Sequence, residues 1–166
     1  DYHFINIVGA GLPVAAMLTA EHLKALGRSA YTAATLWQAL RCRSEPFELE
    51  LDGEPVRQDS LFVEIANTRY TGTSFLIAPD AEMDDGMFDV ILVRRLPRRR
   101  LLRLFPSIYG GTHVRYPEVT VRRARKVRIL APADLPLAPD GELCGRTPAT
   151  VRCLPGHLRV FAAGAS

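Results

Sequence analysis

The chain is 166 residues long, 48% hydrophobic and 23% charged, enough apolar side chain for one folded domain and too much for a disordered segment. No apolar run reaches the ~18–20 residues of a membrane-spanning helix. Cys42, Cys144 and Cys153 never fall in Cys-x-x-Cys spacing, and His3, His22, His113 and His157 lack the spacing of metal ligands. That argues against a disulfide framework or a zinc site and fits a reducing cytoplasm.

The net charge of +3 is unevenly spread. Arg94, Arg95, Arg98, Arg99, Arg100 and Arg103 form one basic cluster; Arg115, Arg122, Arg123, Arg125, Lys126 and Arg128 form another. Asp80, Glu82, Asp84 and Asp85 crowd one turn. Such separation points to a surface that meets phosphates, on lipid headgroups or nucleic acid. Nucleic acid is the less favoured partner, because Trp37 lies in an apolar helix and no aromatic-studded strand offers a base-stacking platform. The first residue is Asp1 and a strand pattern starts by Phe4, so no signal peptide is expected and the stretch reads as a piece of a longer chain.

In chain order, Phe4 to Val8 reads as a strand, closed by a Gly9-Ala10-Gly11 turn. Pro13 then opens a helix carrying Val14, Met17, Leu18, Leu23 and Leu26, with Gly27 as its stop. Ser29 caps a second helix from Ala30 to about Leu40. From Phe47 the period changes to two: Phe47, Leu49 and Leu51 alternate with acids, and Asp52-Gly53 makes a hairpin turn into Glu54 to Gln58. Ser60 to Ala66 and Thr73 to Ile77 are further strands. Phe88, Val90 and Leu92 fall on one face of the next strand, Ile91 and Val93 on the other, so that strand is buried on both sides and central to a sheet. Pro97 opens a short basic helix to about Ser107, closed by Gly110-Gly111. Val119, Val121, Val127, Ile129, Leu135 and Leu137 mark more strands, Pro139 to Glu142 a turn, and Val151 to Phe161 a last hairpin. The sum is a mainly antiparallel β-sandwich domain with two or three helices and no internal repeat.

Four carboxylates beside Gly86 repel one another unless screened by water or a cation. A hard cation, Mg²⁺ or Ca²⁺, suits such oxygen ligands, although the spacing is not that of an EF-hand; a solvated acidic turn is the plainer account. A dinucleotide fingerprint fails at Val14 and Pro13, and neither a Walker loop nor a nucleophile elbow is present. The basic helix sets Leu96, Leu101, Leu102 and Leu104 among arginines. It reads equally as an interfacial membrane helix or as a surface helix with its leucines on the sheet.

Several segments, in order, resemble the C-terminal domain of the diacylglycerol kinase and sphingosine kinase superfamily, in its bacterial soluble diacylglycerol kinase-like branch. They are Phe4-Ile5-Asn6-Ile7 before a glycine turn, Leu23 to Tyr31, Ile77-Ala78-Pro79-x-Ala81-x-x-Asp84-Asp85-Gly86-Met87-Phe88-Asp89-Val90, Gly110-Gly111-Thr112-His113, and Asp140-Gly141-Glu142. The chain departs from the family pattern at Thr71 to Ser74, where a glycine run is frequent, and at Gly9 to Pro13.

The resemblance implies residues 1–166 to be the second, β-sandwich lobe of a lipid kinase, following a nucleotide-binding lobe that lies outside this chain. It implies transfer of the γ-phosphoryl of ATP to a lipid hydroxyl in the cleft between lobes. Glu142 would accept the proton and Asp140 would shape the turn. Mg²⁺ would be held by the Asp85 side chain and the carbonyls of Glu82 and Met87, with the lipid tails entering the apolar interior near the first helices. The expected setting is cytoplasmic and peripheral to an anionic membrane, with a homodimer left open. The alternatives are a non-catalytic sandwich that binds anionic membranes and a divergent member acting on another alcohol.

Overall fold

The computed structural model describes residues 1–22, 30–41, 43–72 and 74–159. The expectations for Leu23, Leu26, Gly27, Ser29, Cys42 and Thr73, and for the chain beyond residue 159, lie outside them.

The chain runs β1 (Ile7–Gly11), α1 (Leu12–His22), α2 (Ala30–Arg41), β2 (Glu45–Leu51), β3 (Glu54–Ala66), β4 (Tyr70–Thr71), β5 (Phe75–Leu76) and β6 (Phe88–Arg94). It continues with α3 (Arg98–Ser107), a 3₁₀ turn (Thr112–Arg115), β7 (Val119–Ala124), β8 (Lys126–Ala131), β9 (Leu137–Pro139) and β10 (Ala149–Arg152).

Eight strands pair antiparallel in the order β10-β8-β2-β3-β1-β9, with β6 joining β3 and β7 joining β6. β3 is the shared strand. Its first half pairs β2 from Glu54↔Leu51 to Ser60↔Glu45, and its second half lies between β1 and β6. The sheet therefore forks at Ser60 and folds over, and the two layers close on each other.

The period-two alternation decides which side chains fill the interior. Phe47, Leu49 and Leu51 of β2, with Val127 and Ile129 of β8, meet Val63, Ile65, Phe88, Val90 and Leu92 in the sandwich core. The opposite faces of β3 and β6 send Phe62, Ile91 and Val93 into a second core, roofed by Leu101, Leu104 and Phe105 of α3 and edged by Leu36 and Leu40 of α2. β6 is thus buried on both faces, as its sequence requires.

Two readings need correction. Gly9, Ala10 and Gly11 are strand residues, not a turn. A side chain at Gly9 would come within 3.0 Å of Pro13, and one at Gly11 (φ +83°) within 2.8 Å of the Leu61 carbonyl. The glycines therefore let β1 lie tight against α1 and β3. Residues 54–66 form one strand rather than two, because only its burial changes midway. After β10, residues 153–159 are turns and bends, and the return strand expected to run through Val160 and Phe161 lies outside the described residues.

The Asp52-Gly53 hairpin holds: both residues have positive φ, 51° and 97°, as tight β-hairpin turns demand. The Asp52 carboxylate also accepts the N–H groups of Arg125 and Lys126 at 3.0 and 2.8 Å, tying this turn to β8.

Candidate functional site

The Asp140 turn is pinned from its own side chain. Asp140 adopts φ 47°, a left-handed conformation that aspartate tolerates better than most residues. That bend returns its carboxylate to the start of β1, where it accepts the N–H groups of Ile5, Asn6 and Ile7 at 2.8, 2.8 and 3.1 Å. The Ile7 carbonyl in turn accepts the Asp140 N–H at 2.8 Å. Two steps on, Glu142 is exposed, and the Tyr2 hydroxyl donates to its Oε2 at 3.2 Å. That hydrogen bond is the main reason the Tyr2 phenol is raised above its ordinary pKa.

A cleft of about 510 Å³ opens beside this turn, lined by Asn6, Ile7, Thr68, Tyr70, Ala138, Asp140 and Gly141. Its inner wall is Gly9, Pro13, Tyr31, Glu64, Thr71 and Gly72. Behind that wall lies a narrow apolar cavity of about 40 Å³ among Leu12, Ala39, Phe62, Phe75 and Phe105, too small in this conformation for an acyl chain.

The acidic turn is a separate neighbourhood. The Met87 N–H donates to Asp85 Oδ1 at 2.8 Å, closing the turn locally. Asp85 Oδ2 is held by the Arg123 guanidinium of β7. Asp89, buried at the start of β6, has its pKa raised first by burial and then by Asp85, Asp80 and Glu82, with Arg123 opposing. These acids outnumber the arginine that faces them, so in charge and donor type the turn fits a hard cation. Such an ion at Asp85 would share or replace Arg123. Among the described residues, no group of three or more His, Cys, Asp or Glu side chains is arranged to hold a metal. No hydrogen bond or ion pair between described residues links this turn to Asp140 or Glu142.

The loop landmarks converge through packing. His113 is fully buried and its Nε2 donates to the Ile77 carbonyl at 3.0 Å; burial lowers its pKa, with the Ile77 and Ser107 carbonyls opposing. A side chain at Gly111 would meet Leu76 at 2.9 Å and Pro79 at 3.0 Å. The Gly-Gly-Thr-His loop thus seats the strand that leads into the acidic turn.

The basic stretches are partly neutralised by pairing. Arg100 pairs with Glu118 at 2.8 Å and Arg128 with Glu50 at 2.9 Å. Leu96, Leu101 and Leu104 are buried, which leaves Leu102 exposed among the arginines of α3. Trp37 is exposed with Arg41 stacked over its ring at 4.9 Å. No helix among the described residues is long and apolar enough to cross a membrane.

Sequence reasoning missed Arg123 as the partner of Asp85, Tyr2 as the partner of Glu142, and Glu64 with Tyr31 and Thr71 at the cleft wall. The signal for Glu64 was available: a lone carboxylate inside the apolar run Leu61 to Ala66.

The family described as the YegS C-terminal NAD kinase beta sandwich-like domain matches residues 6–162. A diacylglycerol kinase of Mycobacterium tuberculosis is 37% identical over 136 residues, 81% of this chain and 44% of that protein. One of Staphylococcus aureus is 28% identical over 162 residues, 96% of this chain and 51% of that protein. A crystal structure of a diacylglycerol kinase from Bacillus anthracis superposes with a TM-score of 0.72 at 22% identity, covering 93% of this chain and 50% of that one. The chain spans about half the length of the curated relatives it matches. With the match running through nearly every strand of the sandwich, the chain belongs to the family of the YegS C-terminal, NAD kinase-like β-sandwich domain, among relatives named diacylglycerol kinase.

Proposed function

We propose that this domain is the lipid-acceptor and metal-site half of an ATP-dependent lipid kinase that phosphorylates a hydroxyl of a diacylglycerol-like lipid. The observation that carries the reading is the polar cleft beside the Asp140–Gly141 turn, which shares Pro13, Tyr31, Glu64 and Thr71 with an apolar cavity behind it. A lipid alcohol needs that combination, with its hydroxyl at a carboxylate and its chains toward the interior.

Glu142 takes the general-base role in this reading, supported by its exposure at the turn and its engagement by a single neutral hydroxyl. As the acceptor oxygen bonds to the γ-phosphorus and the bridging P–O bond of ATP breaks to release ADP, the acceptor proton passes to Glu142. Asp140 keeps Glu142 in place by fixing its turn to the start of β1. Mg²⁺, held by the Asp85 carboxylate and the carbonyls of Glu82 and Met87, would supply the positive charge that the acidic turn lacks. ATP binding falls mainly to an N-terminal lobe outside this chain. The arginines of α3 with Leu102 would rest on anionic headgroups at the inner face of the membrane.

A second reading, a non-catalytic membrane-binding sandwich, is favoured by the exposed arginines of α3 alone, since most of its leucines are consumed by the core. The deciding experiment is ATP-dependent phosphorylation of diacylglycerol, phosphatidylglycerol, sphingosine and ceramide by the longer natural chain. One phosphorylated lipid supports the kinase reading, and no product with intact ATP binding supports the rival.

A further inference from the structure

Glu64 is a buried carboxyl that the catalytic reading leaves without a task. It stands in β3 between Gly9 of β1 and Ile91 of β6 and is 3% exposed. The Thr71 side chain hydrogen-bonds the carboxyl, yet Oε2 has no partner. Burial raises its pKa to about 8, so the group keeps its proton at neutral pH. Folded proteins rarely leave such an atom unsatisfied, because the lost hydration is not recovered.

The position of the residue shows where a partner can come from. Glu64, Tyr31, Pro13 and Thr71 line both the cleft that reaches Asp140 and the apolar cavity behind it. Gly72, at φ +58°, lets the Tyr31 ring close over this junction; a side chain there would fall 2.7 Å from the ring. The junction is therefore a small polar cluster, Glu64 with Thr71 and Tyr31, set where the cleft meets an apolar interior.

Resting on the lipid-kinase reading, we propose that Glu64 is the specificity-determining residue for the acceptor, donating a hydrogen bond to an ester carbonyl of an uncharged, glyceride-like headgroup whose chains continue past Tyr31 into the interior. A carboxyl that holds its proton donates a hydrogen bond, which matches an ester carbonyl. A cationic amino-alcohol headgroup would instead call for the carboxylate, whose charge this site disfavours.

The test is binding to the longer natural chain without ATP, using 1,2-dioctanoylglycerol and sphingosine in mixed micelles as probes. Glu64→Leu raises the Kd for dioctanoylglycerol by at least about tenfold, Glu64→Gln restores most of that loss, and KM moves with Kd while kcat changes less. Equal loss in both variants overturns the uncharged headgroup, as does tighter wild-type binding of sphingosine that Glu64→Gln abolishes. An unchanged Kd in Glu64→Leu overturns the role of Glu64 altogether. Should Glu64→Leu fail to fold by circular dichroism, Thr71→Val takes its place, with an expected rise of about threefold and no rise overturning the proposal. A wild-type protein that binds dioctanoylglycerol in this pattern but transfers no phosphate contradicts the kinase reading and supports the role of Glu64. One that binds neither lipid overturns both.

Discussion

Oδ1 of Asp140 accepts the backbone N–H of Asn6 at 2.8 Å, so one carboxylate joins the turn after β9 to the start of β1, 134 positions away in sequence. Oδ2 extends the clasp to Ile5. Carboxylate bonds to backbone N–H groups are about twice as strong as neutral ones, and here they locate Glu142 as well as hold the sheet edge. Asp140→Ala should cost about 1–3 kcal/mol in urea unfolding. Asp140→Asn, which keeps one acceptor oxygen, should cost less. Equal stability of all three proteins would show that the clasp does not hold the turn.

Glu64 gives the domain a pH-dependent stability. Its pKa is raised from 4.5 to about 8 on folding, so the folded state binds the extra proton. Stability is therefore full below about pH 4.5, falls as pH rises, and levels off above about pH 8. Tyr31 and Asp140 are the titratable groups at the same cleft; Tyr31 is held above its ordinary value chiefly by burial and stays neutral through this window. Glu64→Gln should remove the slope, leaving the variant more stable than the wild type at pH 8 by on the order of a few kcal/mol. Urea unfolding at pH 5 and pH 8 measures the difference. A wild-type slope that persists in the variant would assign it to another group.

Arg123 occupies Asp85, and that contact makes the metal assignment testable. Removing the arginine leaves Asp85, Asp80, Glu82 and Asp89 without the cation that lowers the pKa of Asp89. Arg123→Ala should show a larger Mg²⁺-dependent rise in Tm than the wild type, and Asp85→Ala should show none. Melting curves with and without Mg²⁺ that coincide in all three proteins would remove the metal from this turn.

The central strand, the hairpin at Asp52-Gly53 and the helices were legible because each rests on short-range rules. Val90 and Ile91 sort to opposite cores by alternation alone, and Pro97 starts α3 because its fixed φ suits a first turn. What stayed hidden depends on partners remote in sequence. Nothing local distinguishes a glycine pair in a strand from one in a turn, and the expected strand end at Val8 falls three residues short of Gly11 for want of the Pro13 and Leu61 contacts. Arg123 looked like part of a phosphate-binding cluster because its acid lies 38 positions back. The turn at Pro139 to Glu142 is legible from its own residues, and the roles of Asp140 and Glu142 from the family's landmarks; the clasp on Asn6 required the fold.

Among the arginines of α3, Arg98, Arg99 and Arg103 are exposed and outside the ion pairs formed by the described residues. Replacing all three with alanine should weaken binding to phosphatidylserine vesicles by roughly 1 kcal/mol per arginine at low salt, with melting unchanged. Vesicle co-sedimentation reads this. Binding that survives the substitutions and resists salt would place the membrane contact elsewhere.

The central claim is that Glu142 receives the acceptor proton, and the direct measurement is lipid phosphorylation by the longer natural chain carrying Glu142→Gln. The account predicts a loss of kcat of at least about a hundredfold, with Tm and dioctanoylglycerol binding retained. Phosphorylation at the wild-type rate would contradict it and remove Glu142 from the chemistry.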